Sequence, residues 1–202
     1  MFIMKSKRAV FLFAVIGIAL LAAAAWRAFY GFDWSDESYY AALTSRIYAG
    51  DVPFVQVWDI HQTSALLLAP LYSLYRAVNE ACGAILFFRF VFIAFQLFLA
   101  VFSFTVFRRK VNLTCALIIS LVIFIFAPYA LPTMSYNTML VGFMAFCALC
   151  LYRVDDKAYR FPLTAAGAFY MLAVISYPVL IIALPGFVPV LILKARKHNL
   201  FA

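Results

Sequence analysis

Asp33, Asp36 and Glu37 place three carboxylates within five residues, in the stretch Asp33-Trp34-Ser35-Asp36-Glu37-Ser38-Tyr39-Tyr40. A carboxylate can accept the proton of an attacking hydroxyl, and general-base help of this kind speeds a reaction by about 10²- to 10⁴-fold. The stretch directly follows an apolar run, in a chain that is 68% hydrophobic and 12% charged. Ions near a bilayer are costly unless paired or hydrated, so a cluster at that depth marks a candidate site. The competing reading is structural, with Ser35 as a helix cap and Asp36 and Glu37 in the first turn behind it.

A helix over 36–49, ended by Gly50, aligns Asp36, Tyr40, Leu43 and Ile47 along one stripe. Asp36 then heads the apolar face, while Glu37 begins a more polar stripe through Ala41, Thr44 and Tyr48. That asymmetry singles out Asp36 as the candidate base, with Glu37 and Tyr40 in support. Further along, Asp59, His61, Gln62 and Asn137 map near the same interface as candidate donor or acceptor contacts. Arg89 lies about one and a half turns into the next apolar run, where it could meet a phosphate or reach the head groups. The pair Cys147 and Cys150 lies inside an apolar run and reads as packing, so no metal site is expected.

The elements that must position these residues follow from composition. A mean hydropathy of +1.02 excludes a soluble globular domain and a disordered chain. The net charge of +8 comes from short basic clusters between apolar runs, which suits membrane lipids and not nucleic acid. Apolar runs near 9–29, 84–107, 112–132 and 135–152 each match one span of about 20 residues. The run 161–193 is too long for one span and carries Tyr177-Pro178 near its middle. It therefore predicts two helices, 161–176 and 179–193, that meet near the outer face.

The stretch 64–75, interrupted by Pro70, is too short to span and reads as interfacial. Charge supports this. With 64–77 on the surface, twelve of the sixteen Lys and Arg fall on one side of the membrane and six of the eight acids on the other. The positive-inside bias then predicts an all-α bundle of six spans, a single membrane domain over 1–202 with both ends cytoplasmic and residues 30–83 as one long outer loop. A long loop on a compact scaffold usually carries function.

Four features now stand in order: Asp36-Glu37-Ser38-Tyr39-Tyr40, then Gly50-Asp51-Val52-Pro53, then Trp58-Asp59-Ile60-His61-Gln62, then Arg89. This order resembles the N-terminal half of the bacterial polyprenyl-phosphate-sugar glycosyltransferases of the GT-C superfamily, related to protein O-mannosyltransferases and the lipid A aminoarabinose transferase. The resemblance implies two juxtamembrane helices in the outer loop and further spans beyond Ala202. It also implies inverting sugar transfer from a polyprenyl-phosphate donor to a cell-envelope glycan, lipid or protein acceptor, at the outer face of a bacterial inner membrane. It names no cofactor and leaves a divalent metal open. In this reading Asp36 is the base and Arg89 holds the lipid phosphate. The family's Lys-Pro-Pro stands here as Gln62-Thr63-Ser64, and some relatives place an acid where this chain has Ser135-Tyr136-Asn137. The rival classes are a non-catalytic polyprenyl-lipid-binding or scaffold protein and, behind it, a small transporter, which would need charged or broken helices at the bilayer midplane.

Overall fold

The computed structural model describes residues 6–31, 36–80, 82–130, 132–154 and 159–197. Those residues form an all-α bundle with no β-strand among them: α1 Ser6–Arg27, α2 Asp36–Tyr48, α3 Gln62–Arg76, α4 Ala84–Phe107, α5 Leu113–Ile125, α6 Tyr136–Arg153, α7 Arg160–Ser176 and α8 Leu184–Lys197. Short 3₁₀ turns at Pro128–Ala130 and Pro178–Ala183 precede α6 and α8. By length and composition four segments can cross a membrane: Val10–Arg27, Ala84–Phe107, Tyr136–Arg153 and Pro178–Ala195. The apolar helices α5 and α7, at 13 and 17 residues, are shorter than a typical span.

Helix ends follow local chemistry. Asn112 caps α5 by accepting a hydrogen bond from the Cys115 amide at 2.9 Å, and Ser135 with Thr138 forms a capping box at the start of α6. Gly50, at φ 104°, ends α2: the Asp51 amide donates to the Arg46 carbonyl and the Gly50 amide to that of Ile47. This pairing is a Schellman motif, and it needs the left-handed residue. The proposed cap Ser35 and its neighbour Asp33 lie outside the described residues.

Proline breaks the long apolar run after Ser176, where two helices were expected to meet. The break frees the Ile175 carbonyl, and the Thr63 hydroxyl of α3 donates to it at 2.6 Å. A defect in one helix thus docks another.

The core sits between α4, α6 and α7. Phe146 of α6 stacks on Phe169 of α7 at 4.8 Å and meets Phe95, Phe98 and Phe102 of α4. Gly142 lets α4 approach α6: a Cβ there would fall 2.1 Å from the Phe95 ring. These contacts run in parallel register, so the first turns of α4 and α6 share one end of the bundle. At that end α3 lies crosswise. Its first residues reach Ile175, Tyr136 and Tyr177, and its Tyr72 and Tyr75 meet Phe88 and Phe87 of α4. Both its ends therefore meet the same end of the bundle. The far end gathers Lys110 over Tyr152, and Val154 with Leu163 and Ala195.

Candidate functional site

The site is built where α2, α3, α6 and the α7 break converge. The first turn of α2 offers Asp36, and the capping box fixes Asn137 in the first turn of α6. The Asn137 side-chain amide donates to Asp36 Oδ2 at 3.1 Å, across 101 positions of sequence. Beside this pair the Tyr40 ring packs 5.2 Å from Tyr136. His61 stacks on Tyr136 at 4.0 Å and 15° and on Tyr177 at 4.9 Å and 21°. The result is an aromatic slab with a carboxylate at its edge.

Asp59 organises the neighbouring loop. Its Oδ1 accepts from the His61 amide at 2.7 Å and its Oδ2 from the Tyr39 hydroxyl at 2.9 Å. This bond to its own chain two residues on is an Asx-type turn, and it sets the start of α3. Burial and the Asp59, Tyr136 and Asp36 side chains push the Tyr40 phenol well above its usual range. Burial, the Asp59 hydrogen bond and the Asp59 charge also raise that of Tyr39. Both phenols therefore stay protonated at neutral pH and serve as donors, not bases. Gln62 is fully buried and its Oε1 accepts from the Phe54 amide at 2.9 Å, which ties the loop to α3. Phe54 itself takes the left-handed conformation, at φ 65°.

Two expectations change. Arg89 was to meet a lipid phosphate, but it is 5% exposed and bonded within the protein. Its Nε donates to Glu37 Oε1 at 2.5 Å and its Nη2 to Glu37 Oε2 at 2.6 Å. The remaining donors meet the carbonyls of Ala28 at 2.7 Å, Tyr30 at 3.1 Å and Gly31 at 2.8 Å. A guanidinium has five N–H groups, and these contacts engage all five. Arg89 is thus a positioning residue that joins the exit of α1, the first turn of α2 and α4. The second change concerns Glu37. It was assigned to the more polar stripe, yet it is 2% exposed, and Ala41 and Thr44 are buried behind it. The reason is the partner: Arg89 draws the carboxylate inward, so both stripes of α2 are covered and Asp36 is the less buried acid.

Asp36, Tyr40, Asp59, His61 and Asn137 therefore assemble in one place, whereas Glu37, Gln62 and Arg89 support it from the interior. Tyr39, Tyr136 and Tyr177 were missed. Tyr136 precedes Asn137 inside a Ser-x-x-Thr cap signal and Tyr177 precedes the breaking proline, so both helix-end signals pointed to them. Among the described residues no group of three or more His, Cys, Asp or Glu is placed to hold a metal ion. Comparison of the chain with known protein families, curated proteins and solved structures finds no match.

Proposed function

We propose that the chain is a membrane glycosyltransferase, or part of one, that moves a sugar from a polyprenyl-phosphate donor to an acceptor on the outer face of a bacterial inner membrane. The observation that carries this reading is the hydrogen bond between Asn137 and Asp36, which holds a carboxylate beside an aromatic slab at the end of the bundle opposite the basic clusters. The order of elements supports it: an Asp-Glu pair opens one short helix, a glycine closes it, and a Trp-Asp-x-His segment leads to a second. In this mechanism Asp36 takes the proton of the acceptor hydroxyl as its oxygen bonds to the anomeric carbon. The bond from that carbon to the phosphate oxygen breaks, its electron pair leaves with the polyprenyl phosphate, and the configuration inverts. The rings of His61, Tyr136 and Tyr177 offer a surface for a sugar face, and the Tyr39 hydroxyl and Asn137 amide are the nearby donors.

A second reading is favoured by a separate observation. Gln62 stands where the family has lysine and is itself bonded to the backbone, and Arg89 is wholly engaged within the protein, so neither supplies a cation for a departing phosphate. A non-catalytic polyprenyl-lipid-binding or scaffold protein needs none. Membranes carrying the chain, incubated with labelled polyprenyl-phosphate sugars, separate the two. Label passing to an envelope acceptor above the level of membranes lacking the chain supports transfer, and lipid binding without transfer supports the scaffold.

A further inference from the structure

An unfilled groove lies along α1. Two cavities, of about 220 and 400 Å³, follow one another between α1 and the α4–α5 hairpin and share Phe124 as a common wall. Small residues on α1, Ala14, Gly17, Ala23 and Ala24, keep that wall low. From Phe13 to Arg27 the groove follows α1 for about 20 Å, more than half of a hydrocarbon core of about 30 Å. The lower cavity is almost wholly apolar, lined by Leu21, Leu97, Val101 and Phe104 among others. At the upper end stand Arg27 and Gln96, the only polar side chains of the upper cavity among the described residues.

The two differ in state. Gln96 donates to the Phe126 carbonyl. Arg27 is exposed and makes no hydrogen bond or ion pair to the described residues, and among those residues no carboxylate lines either cavity.

From this geometry we infer that the α1–α4–α5 groove seats the chain of a single-chain isoprenoid lipid phosphate, with Arg27 binding its phosphate. The inference rests on the lipid-linked donor proposed above. Charge selects the head group, because a guanidinium at the interface that has no ion-pair partner among the described residues favours an anion. Shape selects the chain. The cavities lie in single file against one helix, which suits one chain, whereas a phospholipid brings two. Arg89 contributes indirectly by holding Ala28, Tyr30 and Gly31, and so the upper end of α1, against α4.

The test is titration of the full chain in detergent with undecaprenyl monophosphate, undecaprenol or phosphatidylglycerol, read by native mass spectrometry. Undecaprenyl monophosphate is expected to bind best, and Arg27→Ala to weaken it roughly ten- to a hundredfold, with no such loss for undecaprenol. Arg108→Ala, at the other end of α4, should leave binding unchanged. Gly17→Leu should fill the groove from α1, where a Cβ would meet only Leu121 at 3.9 Å. Val101→Phe fills it from α4 and serves as the independent check if the first variant folds poorly by circular dichroism. The inference is overturned if phosphatidylglycerol binds as tightly as undecaprenyl monophosphate, if Arg27→Ala and Arg108→Ala behave alike, or if a folded groove-filling variant binds as the parent does. Transfer is not needed for the readout. Binding intact in a chain that transfers nothing defeats only the catalytic reading, and transfer without this binding defeats only the groove.

Discussion

Glu37 and Arg89 show how a charged pair within an apolar bundle becomes a hinge pin. Each is almost fully buried, and the pair joins three segments distant in sequence. Removing one partner of such a pair leaves an uncompensated charge and costs about 3–5 kcal/mol. Arg89→Ala and Glu37→Ala should each lower the melting temperature in detergent sharply. The double replacement Glu37→Leu with Arg89→Met should recover less than full stability, because the carbonyls of Ala28, Tyr30 and Gly31 would still lack their donor. Full recovery would show that the carbonyl contacts contribute little. At this scale the sequence was only partly legible. The acids near 36 and the arginine at 89 stood out by type, but which acid would pair with Arg89 depended on a contact across 52 positions that no local pattern encodes. Periodicity assigned the polar stripe to Glu37, and a long-range ion pair overrode it.

Helix boundaries were more legible, since they depend on neighbours in sequence. The run at 84–107 coincides with α4, the break falls at Tyr177-Pro178, and Gly50 ends α2 through a motif its own backbone makes possible. The apolar run near 112–132 misled, because length alone suggested one span, whereas α5 stops at Ile125 and a 3₁₀ turn follows. Pro128 starts that turn, and its missing N–H and fixed φ favour an interruption there. Contact between α4 and α6 depends on Gly142. Gly142→Ala would drive a methyl into the Phe95 ring, which is itself held 5.4 Å from Phe143 and 5.7 Å from Phe146. Overpacking of this kind costs about 1–3 kcal/mol, so thermal unfolding should shift downward while helix content is kept. An unchanged melt would mean that the ring turns aside freely.

At the scale of the bundle, the basic cluster Arg108-Arg109-Lys110 lies at the end opposite α2 and α3. The orientation expected from the positive-inside bias, with both ends cytoplasmic, would place the α2–α3 end outside. Single cysteines at Asp51 and Asn79, in a background lacking the four native cysteines, should then label from outside in intact cells, and one at Lys110 only after permeabilisation. Labelling of Lys110 from outside would overturn the orientation. The central claim concerns one side chain at the α2–α3 end. Replacing Asp36 by Asn keeps its size and its capacity to bond Asn137 through the amide oxygen, but removes the proton acceptor. The most direct measurement is sugar transfer from a polyprenyl-phosphate donor by membranes carrying Asp36→Asn beside the parent chain and Asp59→Asn, with folding checked by circular dichroism. Asp36→Asn should stay folded and lose about 10²- to 10⁴-fold in rate, with Asp59→Asn retaining more. Parental activity in Asp36→Asn would contradict the account and leave Asp36 as a helix-end residue bonded to Asn137.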